Sequence, residues 1–268
     1  MEIANVLPKM LFDPYDRPAR LYPGLLALLP VPIAVQLLSA SVPVAYTSAI
    51  SIVTFCGGGS LLGRVARDAG RRLQDRLFER WGGPPTTQLL RFSDGTLDRH
   101  TKERYHGVLE KGLGKQLPSS EAETEDPKNA DELYRSATKW LIEQTRDAKK
   151  FPLVLKENIA FGFHRNCLGL RGHATAIALA CFAWAAVSAD LLTQHVLCSL
   201  ISGTTRLGTA TSIALIVPIG AVAIWWFVLT EGAARRAAFA YAERLLQCCD
   251  RPNDLGTKAG GTARRQRV

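Results

Sequence analysis

Apolar residues are concentrated in two long stretches of the chain. Residues 21–63 include no Asp, Glu, Lys, Arg or His, and residues 172–230 include only four such side chains. A membrane-spanning helix needs about 20 mostly apolar residues, so each stretch can hold two helices joined by a turn. The pattern therefore predicts an all-α integral membrane protein with four transmembrane helices, arranged as two hairpins with an α-helical cytoplasmic region between them.

Turn residues and prolines refine the helix positions. We expect helices over residues 21–39, 43–63, 174–194 and 208–230. Prolines at positions 23, 30 and 32 would break the first helix in water, but a membrane helix tolerates them where neighbouring groups bond the freed carbonyls. A signal peptide cleaved near residue 41 is the alternative, although its apolar region would exceed the usual length of about 7–15 residues.

The distribution of charge predicts the orientation. The chain has 33 Lys and Arg against 24 Asp and Glu, a net charge of +9, at a mean hydropathy of +0.03. The two apolar stretches hold more than a third of the chain and nearly all the charge lies outside them, which excludes a single soluble globule, a disordered protein and a disulfide scaffold. The two predicted outer loops contain only Arg206 as a basic residue, and every other cation beside a helix end lies on one side. Both termini and the central segment are therefore expected in the cytoplasm.

Five segments follow from these patterns. They are a cytoplasmic N-terminal segment (1–20), a first transmembrane hairpin (21–63), a cytoplasmic helical region (64–172), a second transmembrane hairpin (173–230), and a cytoplasmic helix with a disordered basic tail (231–268).

Within the cytoplasmic segments, apolar spacing and breakers predict further elements. The second transmembrane helix is expected to continue to residue 81, and other helices to cover residues 97–111 and 130–147. A stretch with Gly, Pro and acidic residues, 112–129, is expected to be a mobile loop. A helix over residues 232–249 is expected to extend the fourth transmembrane helix.

No motif indicates an enzyme, so we predict no catalytic site, no metal and no cofactor. The chain lacks GxSxG, CxxC and HExxH, and its only phosphate-loop-like run lacks the full GxxxxGK[ST] frame. A membrane-embedded enzyme would have to use His164, His173 and Glu157, the only polar candidates near the membrane surface.

Asp190 is the most informative charge in the apolar stretches, because an ionisable group there is costly unless it faces water, a partner or the bundle interior. It either reaches the outer membrane surface, where it could meet Arg206, or lies at the mouth of a cation pathway. Gln36 and Gln194 could line such a pathway. The many alanines of the third helix favour close helix packing, including packing between copies in a homo-oligomer.

Glycines at 162 and 169 interrupt a helical pattern just before the third helix. Each costs up to about 1 kcal/mol relative to Ala, so either close packing or a re-entrant elbow at the membrane surface must compensate. Asn158, Arg165 and Asn166 could cap or anchor such an elbow, or contact anionic lipid head groups.

Basic clusters in the cytoplasmic region are candidates for a gating-ligand site, since Lys and Arg bind phosphates. The clusters further from the membrane in sequence are Arg99, Lys102 and Arg104, and Arg146, Lys149 and Lys150. The arginines of residues 64–80 have an alternative explanation, because they also satisfy the positive-inside pattern and would meet anionic lipid.

Three short motifs carry a resemblance to known proteins. They are Trp81-Gly82-Gly83-Pro84-Pro85-Thr86, Thr145-Arg146-Asp147, and the spaced run Glu157-Asn158, Gly162-Phe163, Arg165-Asn166, Leu168-Gly169-Leu170. With the order of hairpins, the chain resembles a group of uncharacterised bacterial inner-membrane proteins, and is similar to the membrane channel component of Hailong-type antiphage defence. The resemblance implies a bacterial inner-membrane channel restrained by a nucleic-acid oligomer that a partner nucleotidyltransferase makes. A non-conducting scaffold or sensor that recruits a cytoplasmic partner is the alternative.

Overall fold

The structure, a computed structural model, describes residues 13–39, 41–190 and 208–255. Every regular element within these ranges is helical. Four helices are long and apolar enough to cross a membrane, which confirms the prediction of an all-α chain with four such helices.

The helices are named here in chain order. They are α1 (Arg17–Leu38), α2 (Val44–Val53), α3 (Gly59–Trp81), α4 (Pro85–Leu90), α5 (Arg99–Leu113), α6 (Ser120–Glu125), α7 (Pro127–Gln144), α8 (Pro152–Ser188), α9 (Thr209–Ala223) and α10 (Glu231–Leu246). The start of α1, Arg17–Leu21, is a π-helical turn; a second π-helical turn, Thr54–Gly58, joins α2 to α3, and a third, Ile224–Val228, follows α9. The second transmembrane helix therefore does continue to Trp81, where Gly82 and Gly83 adopt positive φ and end it.

The described residues form two compact units. We call the first the membrane unit; it comprises the residues up to Asp75 together with Ile159–Arg235. The second, which we call the polar unit, comprises Arg76–Asn158 and the residues from Arg236 onward. The divisions fall inside α3, α8 and α10, so each of these helices contributes residues to both units.

In the membrane unit, α3 and α8 approach until their backbones touch. A Cβ atom added at Gly169 would lie 2.4 Å from the backbone nitrogen of Gly70, closer than any real contact, so no larger side chain fits between the helices. Residues 152–188 form one unbroken helix. The expected elbow at residues 158–166 is therefore wrong, and close packing compensates for the glycines.

Asn166 links the start of α1 by a hydrogen bond to the place where α3 and α8 contact each other. Ala19 lies in the π-helical first turn of α1, and the N–H that an α-helix would offer to its carbonyl is missing because residue 23 is proline. The fully buried Asn166 donates from Nδ2 to the Ala19 carbonyl oxygen at 2.7 Å. Arg165 donates to Asn166 Oδ1 from two nitrogens, each at 3.2 Å, and to Gln74 Oε1 at 2.6 Å. These side chains thus link α1, α3 and α8 rather than cap an elbow.

The core of the polar unit is formed by the apolar faces of α5, α7 and the end of α10. Tyr134, Ala137 and Leu141 recur on one face of α7, at helical spacing, and all three are fully buried. They pack in one cluster with residues that include Leu109 and Leu245. The carboxylate of Asp98 caps α5 by accepting from the Thr101 N–H at 2.9 Å, and Asp126 caps α7 in the same way.

The stretch 112–129 is not the mobile loop that its composition predicts, because it contains α6 and a buried carboxylate. Glu123 Oε2 accepts from the Phe92 N–H at 2.8 Å and from the Tyr134 hydroxyl at 2.7 Å. Glu123 Oε1 accepts from the backbone N–H and the hydroxyl of Ser93, at 3.1 and 3.0 Å. Burial alone would raise the pKa of Glu123, but these bonds outweigh it and hold the pKa below its ordinary value.

The fourth apolar helix does not run straight into α10, contrary to the sequence prediction. The chain leaves helical geometry at Leu229, with φ −85° and ψ 64°, and α10 begins at Glu231. Arg171 donates to the freed Leu229 carbonyl, and the Thr230 hydroxyl accepts from the Ala233 N–H at 3.3 Å. The interruption is thus stabilised by a side chain of α8 and by a cap.

We predict that Gly169→Ala destabilises the membrane unit, because the new methyl group must push α3 and α8 apart. Overpacking of this kind costs about 1–3 kcal/mol, which should lower the Tm of the detergent-solubilised protein. Gly172→Ala is the matched control, since a Cβ atom there meets nothing within 4 Å. Equal Tm values for the two variants would contradict the described crossing.

We also predict that the polar unit loses stability as the pH falls through the folded-state pKa of Glu123. A carboxylate with a lowered pKa stabilises the fold above the unfolded value, about 4.3, and loses that contribution when it is protonated. Glu123→Gln should cost about 1–3 kcal/mol at neutral pH, because donors then face donors. Hydrogen exchange of residues 91–96 should accelerate, whereas Glu125→Gln, on the exposed side of the same helix, should leave it unchanged.

Candidate functional site

The beginning of α8 and the end of α10 border an open cleft in the polar unit. Its volume is about 470 Å³, and residues 149–154 form one wall and residues 244–254 the other. Asp147 shapes the first wall, because its carboxylate accepts from the Lys149 N–H at 2.9 Å and its carbonyl from the Phe151 N–H at 2.8 Å. The second wall forms where α10 gives way to the short 3-10 turns Gln247–Asp250 and Pro252–Asp254.

Four cationic side chains and two carboxylates line the cleft: Lys149, Lys150, Arg244, Arg251, Asp250 and Asp254. Both carboxylates already have cationic partners. Lys150 Nζ lies 3.8 Å from Asp254 Oδ1 and also donates to the Asp254 carbonyl. Asp250 accepts from Arg104, whose Nη2 lies 2.9 Å from its Oδ1. The cleft therefore has an excess of positive charge.

That excess comes from Lys149, Arg244 and Arg251, of which Lys149 and Arg251 are the more accessible. Both side chains are exposed, and within the described part of the chain neither lies within ion-pair distance of a carboxylate. Arg244, by contrast, is half-buried and donates to Gln247 Oε1 at 2.9 Å. An anion that enters the cleft would meet two free cations without first displacing a resident carboxylate.

Cys248 in the cleft, its neighbour Cys249, and Tyr105, which bonds to the cleft residue Asp250, are not poised for acid–base or nucleophilic chemistry. Burial, and secondarily the hydrogen bond to Asp250 Oδ2 at 3.0 Å, raises the pKa of Tyr105 to about 12. Burial also raises the pKa of the Cys248 thiol, which lines the cleft, and raises that of neighbouring Cys249 to about 12. These groups therefore stay protonated at neutral pH, so none of them is present as a nucleophilic thiolate or phenolate.

The structure separates the basic residues that the sequence grouped. Lys149 and Lys150 line the cleft, and Arg104 reaches it through Asp250. Arg99 and Arg146 are exposed; Arg99 pairs with Glu103 on its own helix, and Arg146, just after the end of α7, pairs with Glu143 of that helix. Arg244 and Arg251, which sequence reasoning had assigned only to a basic C-terminal segment, belong to the cleft, and no sequence signal joins residue 251 to residue 149.

Lys102 belongs to the core rather than to the basic surface. Its side chain is 2% exposed, and its ammonium group donates to the Arg91 carbonyl at 2.7 Å and to the Asp94 carbonyl. Burial lowers the pKa of Lys102. Its donors hold the loop between α4 and α5, so Lys102 is not available to a ligand at the surface.

The polar residues predicted for an ion pathway lie in different places. Gln36 links α1 to α2, since its Nε2 donates to Ser48 Oγ at 3.1 Å and its Oε1 accepts from Thr47 Oγ1 at 3.0 Å. Asp190 follows the end of α8 and has a positive φ of 55°, a conformation that Asp tolerates better than most residues. Gln194 lies outside the described residues. Asn158 is half-buried on α8.

Comparison with known proteins adds no relative from which a role could be transferred. No family model, no curated protein and no solved structure matches the chain. Support for a function therefore comes from the chemistry of its own residues.

Proposed function

We propose that this chain is a bacterial inner-membrane protein whose copies assemble into an ion-conducting pore, gated through the polar unit. The observation that carries the proposal is the course of α8. This single helix begins at Pro152, in the wall of the basic cleft, and continues without a break to Ser188 in the membrane unit. A ligand in the cleft would thus contact the first turn of a helix whose later turns are apolar enough to span a membrane.

Assembly from several copies is supported by the surface of the apolar helices. Four helices from one chain are too few to surround a water-filled path, and most residues in their apolar windows are not buried within the chain. Ala176, Ala180 and Ala183 lie on one exposed face of α8. Small residues at this spacing let membrane helices approach closely, so this face is a candidate contact between copies.

The proposed ion pathway has Asp190 at its mouth and Gln36 and Gln194 along it. Polar groups in a membrane segment are costly unless they face water or one another. A carboxylate at the mouth would raise the local concentration of cations and lower that of anions. Both termini and the polar unit would lie in the cytoplasm, as the basic residues beside the helix ends favour.

The proposed gating ligand is anionic and binds at the cleft. Lys149, Lys150 and Arg251 would contact its phosphates, Arg104 adjoins the cleft through Asp250, and Arg99 and Arg146 are exposed elsewhere on the polar unit. The resemblance noted above implies a nucleic-acid oligomer, made by a nucleotidyltransferase partner, that restrains the pore in antiphage defence. The excess of positive charge in the cleft is compatible with such a ligand.

A non-conducting scaffold or sensor is the second candidate, and one observation favours it. The amide of Gln36 is bonded on both sides by Thr47 and Ser48 of the same chain. It therefore needs no water-filled path to satisfy it, and the polar unit could then act by recruiting a cytoplasmic partner.

We predict that expression of the chain alone in a bacterium depolarises the membrane, as measured with a potential-sensitive dye. In liposomes, Asp190→Asn should lower cation flux several-fold at low salt and less at high salt, because salt screens the lost charge. Glu125→Gln, an equal change in the polar unit, should have no effect. A preserved membrane potential together with a monomeric state in detergent would favour the scaffold.

We further predict that Lys149→Glu/Arg251→Glu weakens binding of a short single-stranded oligonucleotide by at least tenfold and reduces the salt dependence of its affinity. Lys111→Glu/Lys128→Glu makes the same change in net charge at exposed positions outside the cleft. Equal losses in the two double variants, measured by fluorescence anisotropy, would show only a general charge effect and would exclude the cleft as the site.

A further inference from the structure

Helices α8 and α9 border an apolar groove of about 320 Å³ in the membrane unit. Ala178 and Phe182 form one side, and Pro218, Val222 and Phe227 form the other. Every side chain that lines it is apolar, and the Phe227 side chain is 82% exposed. The groove therefore has the chemistry of a hydrocarbon-binding surface that is open from outside the protein.

A single cation lies beyond one end of the groove on the same face of α8. Arg171, Thr175, Ala178 and Phe182 recur at spacings of four, three and four residues, which places them along one helix face. At a rise of 1.5 Å per residue, Arg171 precedes Ala178 by about 10 Å along the helix axis. It also marks the end of the apolar stretch, because the next charged residue along α8 and the following turn is Asp190.

Arg171 is held in place by groups that leave its charge uncompensated. Its guanidinium lies over the Trp226 ring, with Cζ 5.0 Å from the centroid, and donates to the Leu229 carbonyl. Trp226 in turn donates to Thr175 Oγ1 at 3.2 Å. Across residues 13–39, 41–190 and 208–255, no carboxylate lies within ion-pair distance of Arg171, and its buried Nε has no hydrogen-bond partner. A guanidinium has five N–H donors, so others remain for a ligand.

We propose that Arg171 and this groove form a binding site for one anionic phospholipid. One acyl chain lies along the groove, and phosphate oxygens of the head group accept hydrogen bonds from Arg171. The cation at one end and the hydrocarbon surface beyond it match the two ends of such a molecule. Trp226, which is 51% exposed beside Arg171, has the amphipathic ring typical of the membrane–water interface.

Charge complementarity favours a lipid over a second copy of the chain in this groove. A copy that filled it would have to bring a carboxylate to Arg171 or leave the charge without a counterion. Residues 21–63, 172–188 and 209–228, which form the apolar helices, contain no Asp or Glu. An anionic lipid supplies the missing negative charge from the membrane itself.

The test is a lipid titration of the full-length, delipidated chain in a neutral detergent, followed by native mass spectrometry. Phosphatidylglycerol should bind at one molecule per chain and several-fold more tightly than phosphatidylcholine with the same acyl chains. Arg171→Gln should weaken phosphatidylglycerol about fivefold and abolish the preference. Val222→Trp should fill the groove and weaken both lipids.

Two control variants make the same kinds of substitution at positions outside the proposed lipid site. Arg17→Gln removes the same charge at the exposed start of α1, and Ile216→Trp adds the same bulk on the exposed face of α9; both should bind lipid as the unmodified chain does. Equal affinity for the two lipids, or equal effects of a variant and its control, would overturn the proposal. The proposal would also be overturned if Val222→Trp changed the number of protein copies per particle but left lipid binding intact, because the groove would then be a contact between copies.

If Arg171→Gln does not fold, the comparison of lipid affinity between Val222→Trp and Ile216→Trp decides the question.

Discussion

The contact between the backbones of α3 and α8 is the constraint on which the membrane unit depends. With glycine at positions 70 and 169, no side chain separates the helices, and a single methyl group at position 169 would overlap the α3 backbone. This approach brings Asn166 within reach of the Ala19 carbonyl on α1, whose α-helical donor is missing because residue 23 is proline. Because Ala19 is buried and water cannot bond its carbonyl, the buried amide makes a proline-containing helix tolerable at this point. Three helices are therefore held in register by two glycines and one asparagine.

The polar unit relies on a different device, in which buried charges hold a loop. Glu123 accepts from the backbone on one side of the loop between α4 and α5, and Lys102 donates to carbonyls of the same loop. Each ion is costly to bury unless hydrogen bonds replace its hydration, and here the backbone provides most of them. The loop is therefore fixed by two side chains whose charge would otherwise indicate surface residues, and Lys102 belongs to this loop rather than to the basic cleft.

The two proposed ligand sites lie on one helix, α8; the first is a polar cleft, and the second is an apolar groove with one cation beyond its end. At its beginning, α8 borders a polar cleft with excess positive charge; some twenty residues later, the same helix presents Arg171 and an apolar groove. An anion in the cleft and an anionic lipid at Arg171 would each bind α8 directly. A helix with two such contacts is a simple physical route by which lipid composition and a cytoplasmic ligand could influence the same membrane segment.

The amino-acid sequence by itself determined the helical class, the number of apolar helices and the continuation of the second one to Trp81. These properties depend on local composition and spacing, which a single stretch of chain displays. Only the tertiary structure decided that glycines at 162 and 169 pack rather than bend, that residues 112–129 hold a buried carboxylate, and that α10 is separate from α9. Only the tertiary structure also shows that residues 244–254 and residues 149–154 together line the basic cleft. Each of these outcomes depends on a partner distant in sequence, such as Gly70 for Gly169 or Arg171 for the Leu229 carbonyl, and periodicity contains no information about such partners.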